Sequence, residues 1–170
     1  QTISDKSYFE SQDKHYGIMS FSTKWDISLL WSHYANNHEG FCVGLKEEWL
    51  RESEKFGTGG LVNYQINYPK IDPTDEDMMT NMFVETHTKS KEWEYEGEFR
   101  LTKIFYPSVP SKAERKVKYD KEALAEIYFG LNMSQIDKDQ ILSSLPTRDL
   151  KIFQIIKKPF QFSLDRVRVD

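Results

Sequence analysis

The chain has 170 residues, 38% hydrophobic, 14% aromatic and 29% charged, with a formal net charge of −4. That composition supplies a core and excludes a disordered chain, and the charge gives no global attraction to nucleic acid or an anionic membrane. No apolar run reaches the length of a membrane span, no signal-peptide pattern opens the chain, and the single Cys42 excludes an internal disulfide and a cysteine-rich zinc site.

A cytoplasmic protein of one domain over residues 1–170 is therefore expected. After a polar opening, Gly17-Ile18-Met19-Ser20-Phe21-Ser22 reads as a strand ending in two hydroxyls on one face. Asp26 is expected to cap a helix over 26–36, where Ile27, Leu30, Trp31 and Tyr34 recur at helical spacing, and Gly40 to stop it. The apolar run Phe41-Cys42-Val43-Gly44-Leu45 reads as a central strand. A short helix over 46–55, a turn at Gly57–Gly60 and a weakly alternating strand from Leu61 to Tyr68 follow. Asp72 to Asp75 introduces a helix over about 76–88, with Met78, Met79, Met82 and Phe83 facing inward.

The next stretch, Trp93-Glu94-Tyr95-Glu96-Gly97-Glu98-Phe99-Arg100, sorts by parity. As a strand it puts Trp93, Tyr95, Phe99 and Leu101 on a core face, and Glu94, Glu96, Glu98 and Arg100 on the other. Glu96 and Glu98 would stand roughly 7 Å apart, a repulsive arrangement that an acidic catalytic face or a solvated edge would explain. Arg100 is expected to pair with a carboxylate on an adjacent strand, and Trp93, Tyr95 and Phe99 to pack on one of the helices.

The strand runs on to Tyr106. Lys116 to Tyr119 reads as a weak strand, and Leu124 to Gly130 as a strand or a short helix, with the strand favoured. Ser134 caps a helix reaching Ser144, and 151–157 with 161–169 forms a closing hairpin. The expected fold is α+β, with mostly antiparallel twisted sheets of about seven or eight short strands and three or four helices.

Other chemistry is weak. His33, His38 and Cys42 match no nucleophile arrangement, and Cys42 sits in an apolar strand. The acidic residues fit no metal-binding pattern, so no metal is expected. The Gly57–Gly60 loop lacks the end of a phosphate-binding loop. Lys112, Arg115, Lys116 and Lys118 read as a solvated face diluted by Glu114 and Asp120.

Phe-Ser-Thr-Lys-Trp-Asp at 21–26, Leu-Trp-Ser-His-Tyr-Ala at 30–35, Gly-Phe-Cys-Val-Gly-Leu at 40–45 and the stretch 93–100 together resemble a bacterial domain-of-unknown-function family, numbered two-nine-seven-one. Some of its members lie beside phage-defence genes. More distantly, Ser20-Phe21-Ser22 and Glu96-Gly97-Glu98 are similar to the second and third motifs of the ADP-ribosyltransferase plan. That resemblance implies NAD as substrate and an unknown acceptor macromolecule. Glu98 and Glu96 would be catalytic, with Ser20, Ser22 and Arg100 holding NAD. The plan's first motif, an Arg or His on an earlier strand, has only His15 to fill it, or lies on a segment before Gln1. The leading expectation is an ADP-ribosyltransferase-like enzyme, or an inactive relative, in a toxin or phage-defence system. A non-catalytic sensing or protein-interaction module is the alternative, and a carboxylate-dependent hydrolase, whose acids stand about 7 Å apart in inverting glycosidases, is a third.

Overall fold

The computed structural model describes residues 10–11, 13–71, 77–145 and 150–169. In chain order these form β1 (Tyr16–Ser22), α1 (Ser28–Tyr34), β2 (Phe41–Leu45), α2 (Glu47–Glu52), β3 (Gly59–Leu61), β4 (Asn63–Gln65), α3 (Met78–Thr86) and β5 (Thr88–Ser90). A 3-10 turn at Lys91–Glu96, β6 (Glu98–Ile104), β7 (Leu124–Phe129), α4 (Gln135–Ser144), β8 (Lys151–Lys157) and β9 (Leu164–Arg168) follow. The α+β expectation holds, with nine strands in three mostly antiparallel sheets among the described residues. No described helix is long and apolar enough to cross a membrane.

The chain divides into two compact units. One comprises Gln1–Thr23 and Ser53–Lys118. In it β6 is the middle strand of a sheet ordered β1-β6-β3, antiparallel on both sides, and β4 pairs with β5 in parallel. β1 and β6 share a seven-residue register in which Ser20 faces Arg100 and Ser22 faces Glu98. Asp77 caps α3 by accepting from the Thr80 N–H, and Met82 of the same helix is buried.

The other unit comprises Lys24–Glu52 and Tyr119–Asp170. Its sheet is ordered β2-β7-β8-β9, with β7 and β8 parallel. Both faces of these two strands are covered, which is why their sequences read as nearly unbroken apolar runs. Tyr128, Phe153 and Ile155 pack with Trp31 of α1 and Leu164, with Trp25 alongside. Ile127, Phe129 and Ile152 pack with Met133 and Leu150, and Ile141 of α4 lies against them. The side-chain hydroxyl of Ser134 caps α4 by accepting from the Asp137 N–H, as expected.

Several local expectations are corrected. β2 is an edge strand with Phe41 and Val43 exposed, so its apolar run did not mark a central position. Gly59 and Gly60 lie in a strand, because their bare backbones pair with Leu101 and Arg100 of β6. Lys116–Tyr119 is not a strand. Tyr34, Met79, Ile66 and Tyr68 point to solvent. Ile27, not Asp26, occupies the N-cap of α1, and no side chain caps it. Asp72–Asp75 and the side chain of Met78 lie outside the described residues.

Candidate functional site

All the buried polar residues among those described (Thr86, His87, Glu96, Glu98 and Thr102) fall in the unit built on β6. Burying polar and charged groups costs stability unless each is paired, so their concentration marks the candidate site.

The acidic stretch folds differently from its parity. Residues 91–96 wind into a 3-10 turn, Gly97 caps it in the left-handed region (φ 52°), and only Glu98 onward is strand. In a 3-10 turn residues i and i+3 share a face, which aligns Trp93 with Glu96. Lys89 of β5 meets that face, with its ammonium 5.0 Å from the centre of the Trp93 ring and in an ion pair with Glu96. Glu94 stays outside, bonded to Lys91 at 2.6 Å. Trp93 is 36% exposed, so it is not the core aromatic its parity promised.

Glu96 and Glu98 are 4% and 6% exposed. The Lys89 ammonium that binds Glu96 also lies 3.1 Å from Glu98 Oε2, so one cation fills the space between the two acids. Arg100 grips Glu98 with two bonds, Nε to Oε1 at 2.8 Å and Nη2 to Oε2 at 3.1 Å, and its Nη1 donates to the Thr86 carbonyl at 2.6 Å. The expected ion pair therefore forms, but within one strand and not across two. The Thr86 carbonyl belongs to the last turn of α3, where helix acceptors lack partners and a cation is favoured.

The backbone of Glu98 is fixed as well. Its N–H donates to the Tyr64 hydroxyl at 2.8 Å and its carbonyl accepts from the Val62 N–H at 2.9 Å. Burial alone would raise the Glu98 carboxyl, but hydrogen bonds from Arg100, Ser20 and Lys89 outweigh it and hold the pKa at about 2. Burial pulls the Lys89 ammonium down, and its bonds to Glu96 and Glu98 more than reverse this, leaving it raised. Burial raises the Tyr64 phenol.

His87, 1% exposed, stacks on Phe83 with ring centres 4.0 Å apart. A carbonyl can only accept, so Nε2 carries the proton toward the Arg100 carbonyl (3.3 Å) and Nδ1 faces the Thr86 hydroxyl (2.9 Å). Burial lowers its pKa, favouring the neutral ring.

Of the expected site residues, Ser20, Ser22, Glu96, Glu98 and Arg100 all come together on β1, β6 and the turn before it. The Ser22 hydroxyl donates to the Glu96 carbonyl at 2.8 Å, while Ser20 lies opposite Arg100 in the β1–β6 register. His15 does not join them. It precedes β1 and bonds the Phe105 carbonyl at 2.9 Å, roughly 17 Å along the strand from Ser20. Among the described residues no group of three or more His, Cys, Asp and Glu side chains is placed to hold a metal ion.

Residues 30–101 match the family described as Protein of unknown function (DUF2971). It is the family whose motifs the sequence resembled. The DUF2971 match takes in Tyr64, His87, Lys89, Glu96, Glu98 and Arg100 and leaves out Ser20 and Ser22. No curated protein and no solved structure matches the chain. Within the DUF2971 segment, Lys89, His87 and Tyr64 are the site residues that the sequence reading missed. Lys89 stands in an ordinary polar run, and nothing in its neighbours marks it. The one available signal was Gly97, whose place between two acids interrupts a strand of otherwise strict alternation.

Proposed function

We propose that the β1–β6 pair carries an NAD-cleaving site of the ADP-ribosyltransferase type, with Glu98 as its catalytic carboxylate. One observation supports this reading above the others: the two motifs, far apart in the chain, lie on neighbouring strands in a register that sets Ser22 opposite Glu98 and Ser20 opposite Arg100, with Glu98 held ionised. In the reaction the bond between nicotinamide and ribose breaks, and its electron pair leaves with the nicotinamide nitrogen. The ribose becomes an oxocarbenium-like cation, which a fixed, ionised Glu98 stabilises. The nucleophilic atom of the acceptor macromolecule closes on that carbon, and its proton passes to Glu96. Ser20, Ser22 and Arg100 position the nucleotide and the carboxylate.

A second reading, a non-catalytic sensing or protein-interaction module, is favoured by a different observation. Both glutamates are buried, and their charges are met by Lys89 and Arg100. The hydrolase reading loses support, because the Lys89 ammonium stands where an inverting enzyme would need open space between its acids.

Incubating the intact protein with NAD labelled in the nicotinamide ring separates the two. The transferase reading expects nicotinamide release that Glu98→Gln abolishes, assayed at a temperature where the variant is still folded. Absence of both NAD binding and nicotinamide release in the native protein would leave the non-catalytic module.

A further inference from the structure

The β8–β9 hairpin ends in a loop that no packing requirement explains. Phe160 and Phe162 are 107% and 113% exposed. Phe160 also adopts a left-handed backbone, φ 59°, which strains a bulky L-residue and which Gly or Asn would take with less strain. The loop is nonetheless closed: the Lys158 N–H donates to the Ser163 carbonyl at 3.0 Å, and the Gln161 N–H to the Lys158 carbonyl at 3.3 Å. Two large apolar rings are thus held out from a hydrogen-bonded tip, and their burial contributes nothing to the fold.

The charge along this hairpin is mostly positive. Lys157 and Lys158 are exposed at the base of the tip. Across 151–169 the cations are Lys151, Lys157, Lys158, Arg166 and Arg168 against the single carboxylate of Asp165, in a chain whose net charge is −4. Arg166 is already engaged, 4.2 Å above the Phe153 ring and bonded to the Tyr128 hydroxyl, so the cations offered at the tip are the two lysines.

We infer that this tip is a peripheral membrane-docking element: Phe160 and Phe162 enter the boundary between headgroups and acyl chains of a bilayer carrying anionic lipid, and Lys157 and Lys158 meet its negative surface. Apolar wedges flanked by lysines gain both from leaving water and from the surface potential. Single-stranded nucleic acid would also take cations and aromatic rings, but it is bound along a charged groove with bases stacked on platforms. Here the rings project from the end of a hairpin.

The test is sedimentation of the intact protein with vesicles of phosphatidylglycerol and phosphatidylcholine, and with phosphatidylcholine alone. Binding should require the anionic lipid and weaken with added salt. The double variant Phe160→Ser/Phe162→Ser should partition about tenfold more weakly, and Lys157→Glu/Lys158→Glu should also bind less. Phe160→Leu/Phe162→Leu keeps the apolar wedge without the aromatic faces, so it should retain vesicle binding. The inference is overturned if the native protein binds anionic vesicles no better than neutral ones, or if the Ser variant sediments like the native chain. It is equally overturned if the Leu variant fails as badly as the Ser variant while both lose affinity for a single-stranded oligonucleotide, which would assign the tip to base stacking. Self-association that both variants abolish, without vesicle binding, would assign it to a second copy of the chain.

Discussion

Arg100 holds Glu98 from within its own strand, with Nε 2.8 Å from Oε1 and Nη2 3.1 Å from Oε2. Side chains two apart on a strand share a face, so the long guanidinium folds back along β6 onto its neighbour. Its third donor ties the pair to the end of α3 through the Thr86 carbonyl. Arg100 therefore serves strand, helix and carboxylate together.

Arg100→Met should lower stability by about 3 kcal/mol or more, because it leaves Glu98 buried with only the Lys89 charge. Arg100→Lys should recover part of this, since an ammonium cannot reproduce the two-pronged geometry. Urea denaturation of the three proteins reads the effect, and an unchanged midpoint in the Met variant would show that the pair contributes nothing. Glu98→Gln should also destabilise, contrary to the simple view that an isosteric change on an acidic face spares the fold.

Stability should fall with acid in a defined direction. Unfolded Glu98 takes its proton near 4.5 and folded Glu98 only near 2. Between those values the unfolded chain binds more protons, so the contribution is full above 4.5 and is lost as pH falls toward 2. His87 acts with the same sign: burial lowers its pKa from 6.5, so acid below that value favours the unfolded chain, in which the ring charges freely. Lys89→Met removes one of the donors that hold Glu98 down, and the acid limb should move to higher pH. Urea midpoints that stay level from about pH 7 to about pH 3 would contradict this linkage.

Gly97→Ala should cost about 1–2 kcal/mol. The site needs φ 52°, and an added Cβ would lie 3.1 Å from the Thr23 hydroxyl oxygen. Thermal unfolding would register the change. A variant as stable as the native chain would mean that the turn accepts a different cap.

Aromatic truncation should separate the true core from its imitation. Phe129→Ala, at a buried position of β7, should cost about 3–5 kcal/mol. Phe99→Ala should cost less than half of that, because Phe99 is only partly buried in β6. Equal losses in calorimetry would contradict the burial pattern.

The sequence by itself determined much of this protein. Its α+β class, the β1 strand, the β7 and β8 strands with their apolar runs, the Ser134-capped helix and the closing hairpin follow from local periodicity and capping chemistry, which act over a few residues. The pairing of Ser20-Phe21-Ser22 with Glu98–Arg100 was legible only as two separate motifs. Tertiary structure decided the rest. A glycine in the left-handed region turned half of an alternating strand into a 3-10 turn, which swung Glu96 inward and Trp93 outward. The partners of the acids came from elements that carry no sign of their role: Lys89 from a three-residue strand, His87 and Thr86 from a helix end, Tyr64 from a short parallel strand. A buried charge takes whichever opposite charge the fold brings within reach, and that depends on contacts between segments distant in the chain, which local sequence pattern does not encode.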